Sequence, residues 1–414
     1  MKIFLLVLGG ALLPWLVHGA DRSSLSFDET LQLAERNAPS LAAATARDAA
    51  ARHAALAAGQ LPDPKLVMGL DNLPVSGADA WSLGRDFMTM QRVGVSQDLP
   101  NGGKRRARVA EAEAAIADAE FSARITRLQV RREAALAWLN GYYSVARLGL
   151  QADLVRENAL LEKTIAARYA SGAAAATELL SAQREALVLA DQQDELVAAQ
   201  ARADAELARV LGRPAQIDSA AELPRFDIDI EHLRAHLEQH PQLRIYEART
   251  AGAHAALREA EAGKRPDWNV EVSYQHRGPR YGEMVSAQLS VDLPLFSAHR
   301  QDPLIAARAD EVTALDDELS ALLRSHAAEL EQDVADYQRL QRQAHRARSQ
   351  GLPLAQQTLD LAYQAYGAGN GSLADLLEAR RALASARFAA LNLDAARLGA
   401  AAQLYFRYEG GEHD

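Results

Sequence analysis

Asp267-Trp268-Asn269-Val270-Glu271-Val272-Ser273-Tyr274-Gln275 is the stretch that decides the fold. Its apolar residues, Trp268, Val270, Val272 and Tyr274, alternate with polar ones. A second run follows, in which Val285, Ala287, Leu289, Val291 and Leu293 alternate with Ser286, Gln288, Ser290 and Asp292. Side chains of a strand point to opposite faces in turn, so each run has one apolar and one polar face. A soluble sheet hides the apolar face under helices. The alternative turns that face to lipid and the polar face to water, as membrane barrels do. Strands of about nine residues suit a tilted crossing. The side chains expected to face lipid are Trp268, Val270, Val272, Tyr274, Val285, Leu289 and Val291.

Outward from these strands the chain reads as helix. No proline occurs between Pro100 and Pro214, and the stretch is rich in Ala, Leu, Glu, Arg and Gln, which favour helix. Its one visible break is Tyr169-Ala170-Ser171-Gly172. Two helices are expected, about 103–170 and 174–211. The first would be on the order of 100 Å long and needs partners along its length. Such helices lead away from the strands and leave the apolar faces uncovered. Lys104, Arg105, Arg106 and Arg108 oppose the dipole of the helix they open, which suggests an interface.

The pattern occurs twice. His240-Pro241 matches Ala38-Pro39, and His254-Ala255-Ala256-Leu257 echoes His53-Ala54-Ala55-Leu56. Asp292-Leu293-Pro294 echoes Asp98-Leu99-Pro100, and Tyr366-Gly367-Ala368-Gly369 echoes Tyr169-Ala170-Ser171-Gly172. Matches in one order imply an internal duplication. The first repeat spans 21–213, with strands about 65–71 and 91–99. After a linker at 214–228, the second spans 229–409. It holds strands about 267–275 and 285–293, a long helix about 303–367 and a final helix 373–408, before a 410–414 tail. Four strands cannot close a membrane barrel, which needs about eight, and an open edge is not tolerated in lipid. The chain is therefore expected to oligomerise.

Residues 1–20 read as a secretory signal: Lys2, an apolar run from Ile3, and small residues at Gly19 and Ala20. There is no cysteine, hence no disulfide and no lipidated cysteine is expected. The net charge of −10 argues against nucleic acid as a partner. Gly-x-Ser-x-Gly, His-Glu-x-x-His and P-loop signatures are absent. No enzyme activity and no cofactor are expected. His232, His236 and His240 recur every fourth residue, as metal ligands on one helix face can; a solvent-facing helix is the plainer reading. Gly367-Ala368-Gly369-Asn370-Gly371 follows a helix and reads as a tight turn, with Asn370 and the glycines supplying positive φ.

Helix, two strands, long helix, tip turn and helix, done twice, resembles the TolC-type outer-membrane efflux factors. The motifs are Leu25-Ser26-Phe27-Asp28-Glu29-Thr30-Leu31, Asn37-Ala38-Pro39, Val95-Ser96-Gln97-Asp98-Leu99-Pro100, Leu289-Ser290-Val291-Asp292-Leu293-Pro294-Leu295-Phe296, and Tyr366 to Ala379. The resemblance implies a mainly α chain with a membrane β-barrel. It implies a homotrimer, with a twelve-strand barrel in the outer-membrane lipid of a Gram-negative bacterium. A twelve-helix barrel would continue it through the periplasm. It implies as partners a periplasmic adaptor (membrane fusion protein) and an inner-membrane RND-type pump, and as function a passive conduit for export. Drug efflux and type I protein secretion use the same architecture; a secreted coiled-coil protein would have no use for the alternating strands. Gly102-Gly103-Lys104-Arg105 and Gly351-Leu352-Pro353 are similar to the heavy-metal (CzcC/CusC-like) branch, which implies metal cations as cargo. Pro353 should kink or break its helix. The resemblance further places a periplasmic gate at Asp375 and Glu378, with Tyr366 beside them. It places adaptor docking at the tips Tyr169, Ser171, Gly172, Gly369, Asn370 and Gly371.

Overall fold

The protein is described by a computed structural model covering residues 24–217 and 220–409. The expected signal and the 410–414 tail lie outside the described residues. In chain order the elements are β1 (Ser24–Leu25), α1 (Phe27–Asn37), α2 (Pro39–Ala58), β2 (Lys65–Asp71), β3 (Met90–Leu99), α3 (Gly102–Ala170), α4 (Ala176–Leu211) and β4 (Gln216–Ile217). Then come α5 (Ile230–Ala235), a 3-10 turn (Leu237–Gln239), α6 (Pro241–Ala262), β5 (Trp268–His276), β6 (Met284–Val291), α7 (Gln301–Arg346), a π turn (Ala347–Gly351), α8 (Leu352–Gly367) and α9 (Leu373–Leu404).

Local chemistry sets the boundaries. Ser26 and Glu29 form a capping box ahead of α1: the Ser26 amide and hydroxyl donate to Glu29 Oε2 at 2.9 and 2.7 Å. Pro39 and Pro241 occupy the first turns of α2 and α6, where a missing N–H removes no helical bond. Gly212, at φ 71°, closes α4 in the left-handed conformation that favours glycine. Of the expected kink or break at Pro353 the full break is absent: the α-helix is interrupted only by a π turn. Pro353 sits in the first turn of α8, directly after the π turn. The extra residue of a π turn absorbs the misfit inside a continuing helix. Within that turn Arg348 Nε donates to the buried Asp394 carboxylate at 2.6 Å.

The chain divides into two units, α3 contributing to both. One unit comprises residues up to 37, 133–225 and 343–396. Its core clusters Leu161, Ile165, Ala182, Leu373, Leu376 and Leu377. Trp138 is fully buried edge-on to Phe27, and its Nε1 donates to Leu25 O at 3.0 Å. Two buried amides bridge α3 to α4: Gln151 Nε2 to Leu189 O at 2.7 Å and Asn158 Nδ2 to Ala182 O at 3.4 Å. The region read as a linker contains β4, which pairs in parallel with β1, a pairing the sequence reading missed.

The other unit comprises 38–132, 226–342 and residues from 397 on. Leu233, Leu330, Val334 and Leu404 form one of its cores. Its four-stranded sheet runs β2-β3-β5-β6, antiparallel throughout. The central β3–β5 pairing joins the two sequence repeats.

Candidate functional site

The sheet register assembles one continuous apolar face. Leu66 stands opposite Val95, Val95 opposite Val272, and Val272 opposite Ala287. The next row is Met68, Val93, Tyr274 and Val285. Trp268 pairs with Val291 and Val270 with Leu289. These side chains are not covered by helices: Val285 is 72% and Leu289 61% exposed. The opposite face is polar and internally bonded. Arg92 Nη1 donates to Glu271 Oε1 at 3.1 Å, Asn269 Nδ2 to Asp98 Oδ1 at 2.7 Å, and Ser286 Oγ to Gln275 Oε1 at 3.0 Å. Gly94 lets β5 approach, since a Cβ there would lie 2.6 Å from Ser273 Cβ. Among the described residues β2 and β6 each have one neighbouring strand. Both outer edges therefore present unpaired backbone groups.

At one end of the sheet, Leu99, Trp268 and Val291 lead into the helices. Asn101 fastens this junction: its amide donates to Asp267 Oδ1 at 2.8 Å and its Nδ2 to Ala262 O at 3.1 Å. The basic start of α3 is partly used here. Lys104 pairs with Asp267, Arg105 donates to Gly59 O, and Arg108 donates to Glu259. Their charge is thus partly committed within the chain. Arg106 remains exposed.

In the first unit the two tip turns have the same backbone solution. Ala173 N donates to Arg168 O and Gly172 N to Tyr169 O, at 2.8 and 3.0 Å. Asn370 N donates to Ala365 O and Gly369 N to Tyr366 O, at 2.9 and 3.1 Å. These paired bonds are the Schellman closure of a helix end. Gly172 and Gly369 have φ of 77° and 75°. Asn370, Gly367 and Gly371 have no positive φ, so the expectation for them is corrected: one left-handed residue closes each turn. Ser171 Oγ donates to Arg168 O at 2.9 Å.

Tyr366 joins the two tips. Its hydroxyl donates to Glu178 Oε2 at 3.1 Å, and the Arg168 guanidinium lies 5.0 Å from its ring centre. Burial first, and then the Glu178 carboxylate, push the Tyr366 hydroxyl pKa up. Sequence reasoning missed this contact because its partners lie 188 positions apart. Asp375 Oδ2 accepts from the Ser372 hydroxyl and amide at 2.7 and 3.2 Å, and Ser372 Oγ accepts from Asp375 N at 3.1 Å. These bonds hold the Asp375 carboxyl below its ordinary range. Asp375 is therefore half of a capping box. The start of α9 thus depends on this side chain. Glu378, one turn on, is exposed.

The three histidines divide. His232 and His236 stack at 4.0 Å, and His236 Nδ1 lies 2.9 Å from His232 O. All three border one cleft, but His240 is buried: its Nε2 donates to Arg407 O at 2.6 Å and its Nδ1 accepts from Gln242 N at 3.2 Å, capping α6. Its ring lies 4.9 Å from that of His326. Burial pushes its pKa down to about 4. Among the described residues no group of three or more His, Cys, Asp or Glu is placed to hold a metal ion.

A sheet with one apolar outer face, one polar face and long flanking helices is the protomer of a membrane channel. Residues 30–213 and 233–407 match the family of outer membrane efflux proteins, and the chain belongs to it. The pyoverdine export outer membrane protein OpmQ of Pseudomonas aeruginosa is 28% identical over 435 residues, covering 96% of this chain and 87% of that protein. The crystal structure of CusC matches with a TM-score of 0.77 at 18% identity, over 92% of each chain. The outer membrane protein VceC of Vibrio cholerae matches with a TM-score of 0.75 at 20% identity, over 92% of this chain and 95% of that one. The chain is accordingly an outer-membrane efflux channel of the TolC type, and not an enzyme.

Proposed function

We propose that this chain is the passive exit duct of a tripartite efflux machine, working as a homotrimer with a periplasmic adaptor and an RND-type pump. The observation that carries the reading is the four-stranded sheet, apolar on one exposed face and unpaired at both edges. Backbone groups in lipid must be bonded. Pairing β6 of one copy with β2 of the next satisfies both edges, and three copies give a closed twelve-strand barrel. The polar face with Arg92, Glu271 and Gln275 then lines the pore. The helices form the periplasmic part, and no lipid anchor is needed to hold such a barrel in the outer membrane.

In this reading Asp375, Glu378 and Tyr366 surround the periplasmic mouth. The turns at Tyr169–Ser171–Gly172 and Gly369–Asn370–Gly371 meet the adaptor. Acidic rings favour cations over anions, which supports heavy-metal cations as cargo. A second reading, export of a secreted product such as pyoverdine, is favoured by the similarity to the pyoverdine export protein OpmQ. Deletion of the gene separates them. Loss of growth on copper, zinc, cobalt or silver supports metal export. Unchanged metal tolerance with loss of a pyoverdine-like secreted product supports the second reading, and loss of drug tolerance alone contradicts both.

A further inference from the structure

We propose that the cleft where the strands meet the helices binds the headgroup of an anionic phospholipid. The proposal rests on the membrane reading of the sheet and adds a specific lipid site to it. The cleft has a volume of about 470 Å³ and is lined by Lys104, Arg108, Arg300 and Arg308, against the acids Glu111 and Glu259. Cations gather here in a chain whose net charge is −10. Arg108 is held by Glu259 and Arg308 by Glu311, both at 2.7 Å. Arg300 is exposed and, among the described residues, makes no side-chain hydrogen bond or ion pair. Gln301 Oε1 is buried beside it without a hydrogen-bond partner, an acceptor for a headgroup hydroxyl or ammonium.

The segment after β6 supplies the apolar half of the site. Asp292 N donates to Asp267 O at 2.9 Å, which fixes where the segment leaves the sheet. Leu293, Leu295 and Phe296 follow, exposed by 65%, 75% and 72%. Leu293 continues the alternation of Val285, Leu289 and Val291, so this patch extends the apolar face of the sheet. A side-chain set with three large apolar groups toward the acyl region and arginines at the phosphate level suits a phospholipid at the bilayer edge. Arg300, the one cleft cation without an ion-pair partner among the described residues, favours an anionic lipid, and continuity with the sheet face favours a lipid over a soluble anion.

The test uses the full-length channel in neutral detergent, with bound lipid counted by native mass spectrometry. The probes are phosphatidylglycerol, phosphatidylcholine and glycerol 3-phosphate. Phosphatidylglycerol should be retained in preference to phosphatidylcholine. Arg300→Gln and Arg308→Gln should each weaken retention about fivefold, and Phe296→Ser should weaken lipid binding alone. Equal retention of the two lipids, or retention untouched by the arginine variants, overturns the proposal. So does glycerol 3-phosphate binding as tightly as the lipid. A loss of oligomer mass in the arginine variants with lipid retention unchanged shows that a second copy covers the cleft, which also overturns it. Conductance of the same preparations in neutral bilayers reads the channel function separately, so failure of the lipid site leaves that reading standing.

Discussion

The Tyr366 hydroxyl donates to Glu178 Oε2 at 3.1 Å, tying the second tip to the first turn of α4. Both groups belong to one unit and one chain. A bond of this kind contributes about 0.5–1.5 kcal/mol. Tyr366→Phe keeps the ring, and its contact with Arg168, while deleting the bond. In bilayer recordings the variant should dwell longer in conducting states, whereas Tyr169→Phe should behave as wild type. Unchanged dwell times for Tyr366→Phe contradict a latch here.

Asp375 and Glu378 separate two effects. Glu378→Ala removes an exposed charge and should lower cation preference while leaving α9 intact. Asp375→Ala removes a charge and half of the capping box, so it should also fray the first turn of α9. Ser372→Ala breaks the box and keeps the charge. Its selectivity should match wild type, with faster hydrogen exchange at Leu373–Leu376 of α9. The Asp375 carboxyl is depressed in the folded chain, so its support of the turn is present above the ordinary carboxylate range, near pH 4. That support is lost as pH falls through the lower folded value. Equal cation preference in wild type and the double alanine variant removes both residues from the mouth.

Leu289 and Gln288 are sequence neighbours on opposite faces of β6. Arginine at Leu289 should cost about 2–4 kcal/mol if the position is near mid-membrane, and arginine at Gln288 far less. Folding titrations into lipid vesicles compare them directly. Similar costs would mean that the apolar face does not meet lipid.

His240 predicts an acid-sensitive joint. Its Nδ1 caps α6 only while unprotonated, and burial holds its pKa at about 4, against roughly 6.5 in an unfolded chain. Stability from this group is full above pH 6.5 and falls away as pH drops toward 4. The loss is on the order of 3 kcal/mol at most. His326, Arg407 and Glu329 act on His240 from α7 and the chain end, and the positive neighbours reinforce the neutral form. His240→Asn keeps a capping oxygen without the titration. Protection of the Gln242 and Leu243 amides should fall between pH 6.5 and 4.5 in wild type and stay level in the variant. The same fall in both assigns the acid response elsewhere.

The architecture was legible where one physical rule dominates. Alternation from Trp268 to Tyr274 exposes the strand because lipid and water demand opposite faces. The matching prolines and tip tyrosines expose the duplication. What the sequence could not show depends on distant partners. Nothing near Gly94 signals that it accommodates Ser273, and nothing near Leu25 signals the Trp138 indole or the pairing of β1 with β4. Local rules also misled. Proline suggested a kink or break at Pro353, where a π turn interrupts the α-helix without ending it. Periodic histidines suggested metal ligands; all three border one cleft, but His240 is spent capping the next helix. Glycine content suggested several left-handed residues at the second tip, where Gly369 suffices.

The central claim is that the two sheet edges pair between copies. The chain lacks native cysteine, so disulfide crosslinking reads this without background. Cysteine pairs scanned along Leu66–Leu70 of β2 and Val285–Leu289 of β6 should give, in the membrane-embedded protein, a ladder of one, two and three chains that ends at three. A species crosslinked only within one chain, or a monomer that retains its sheet in detergent and never crosslinks, would contradict the account.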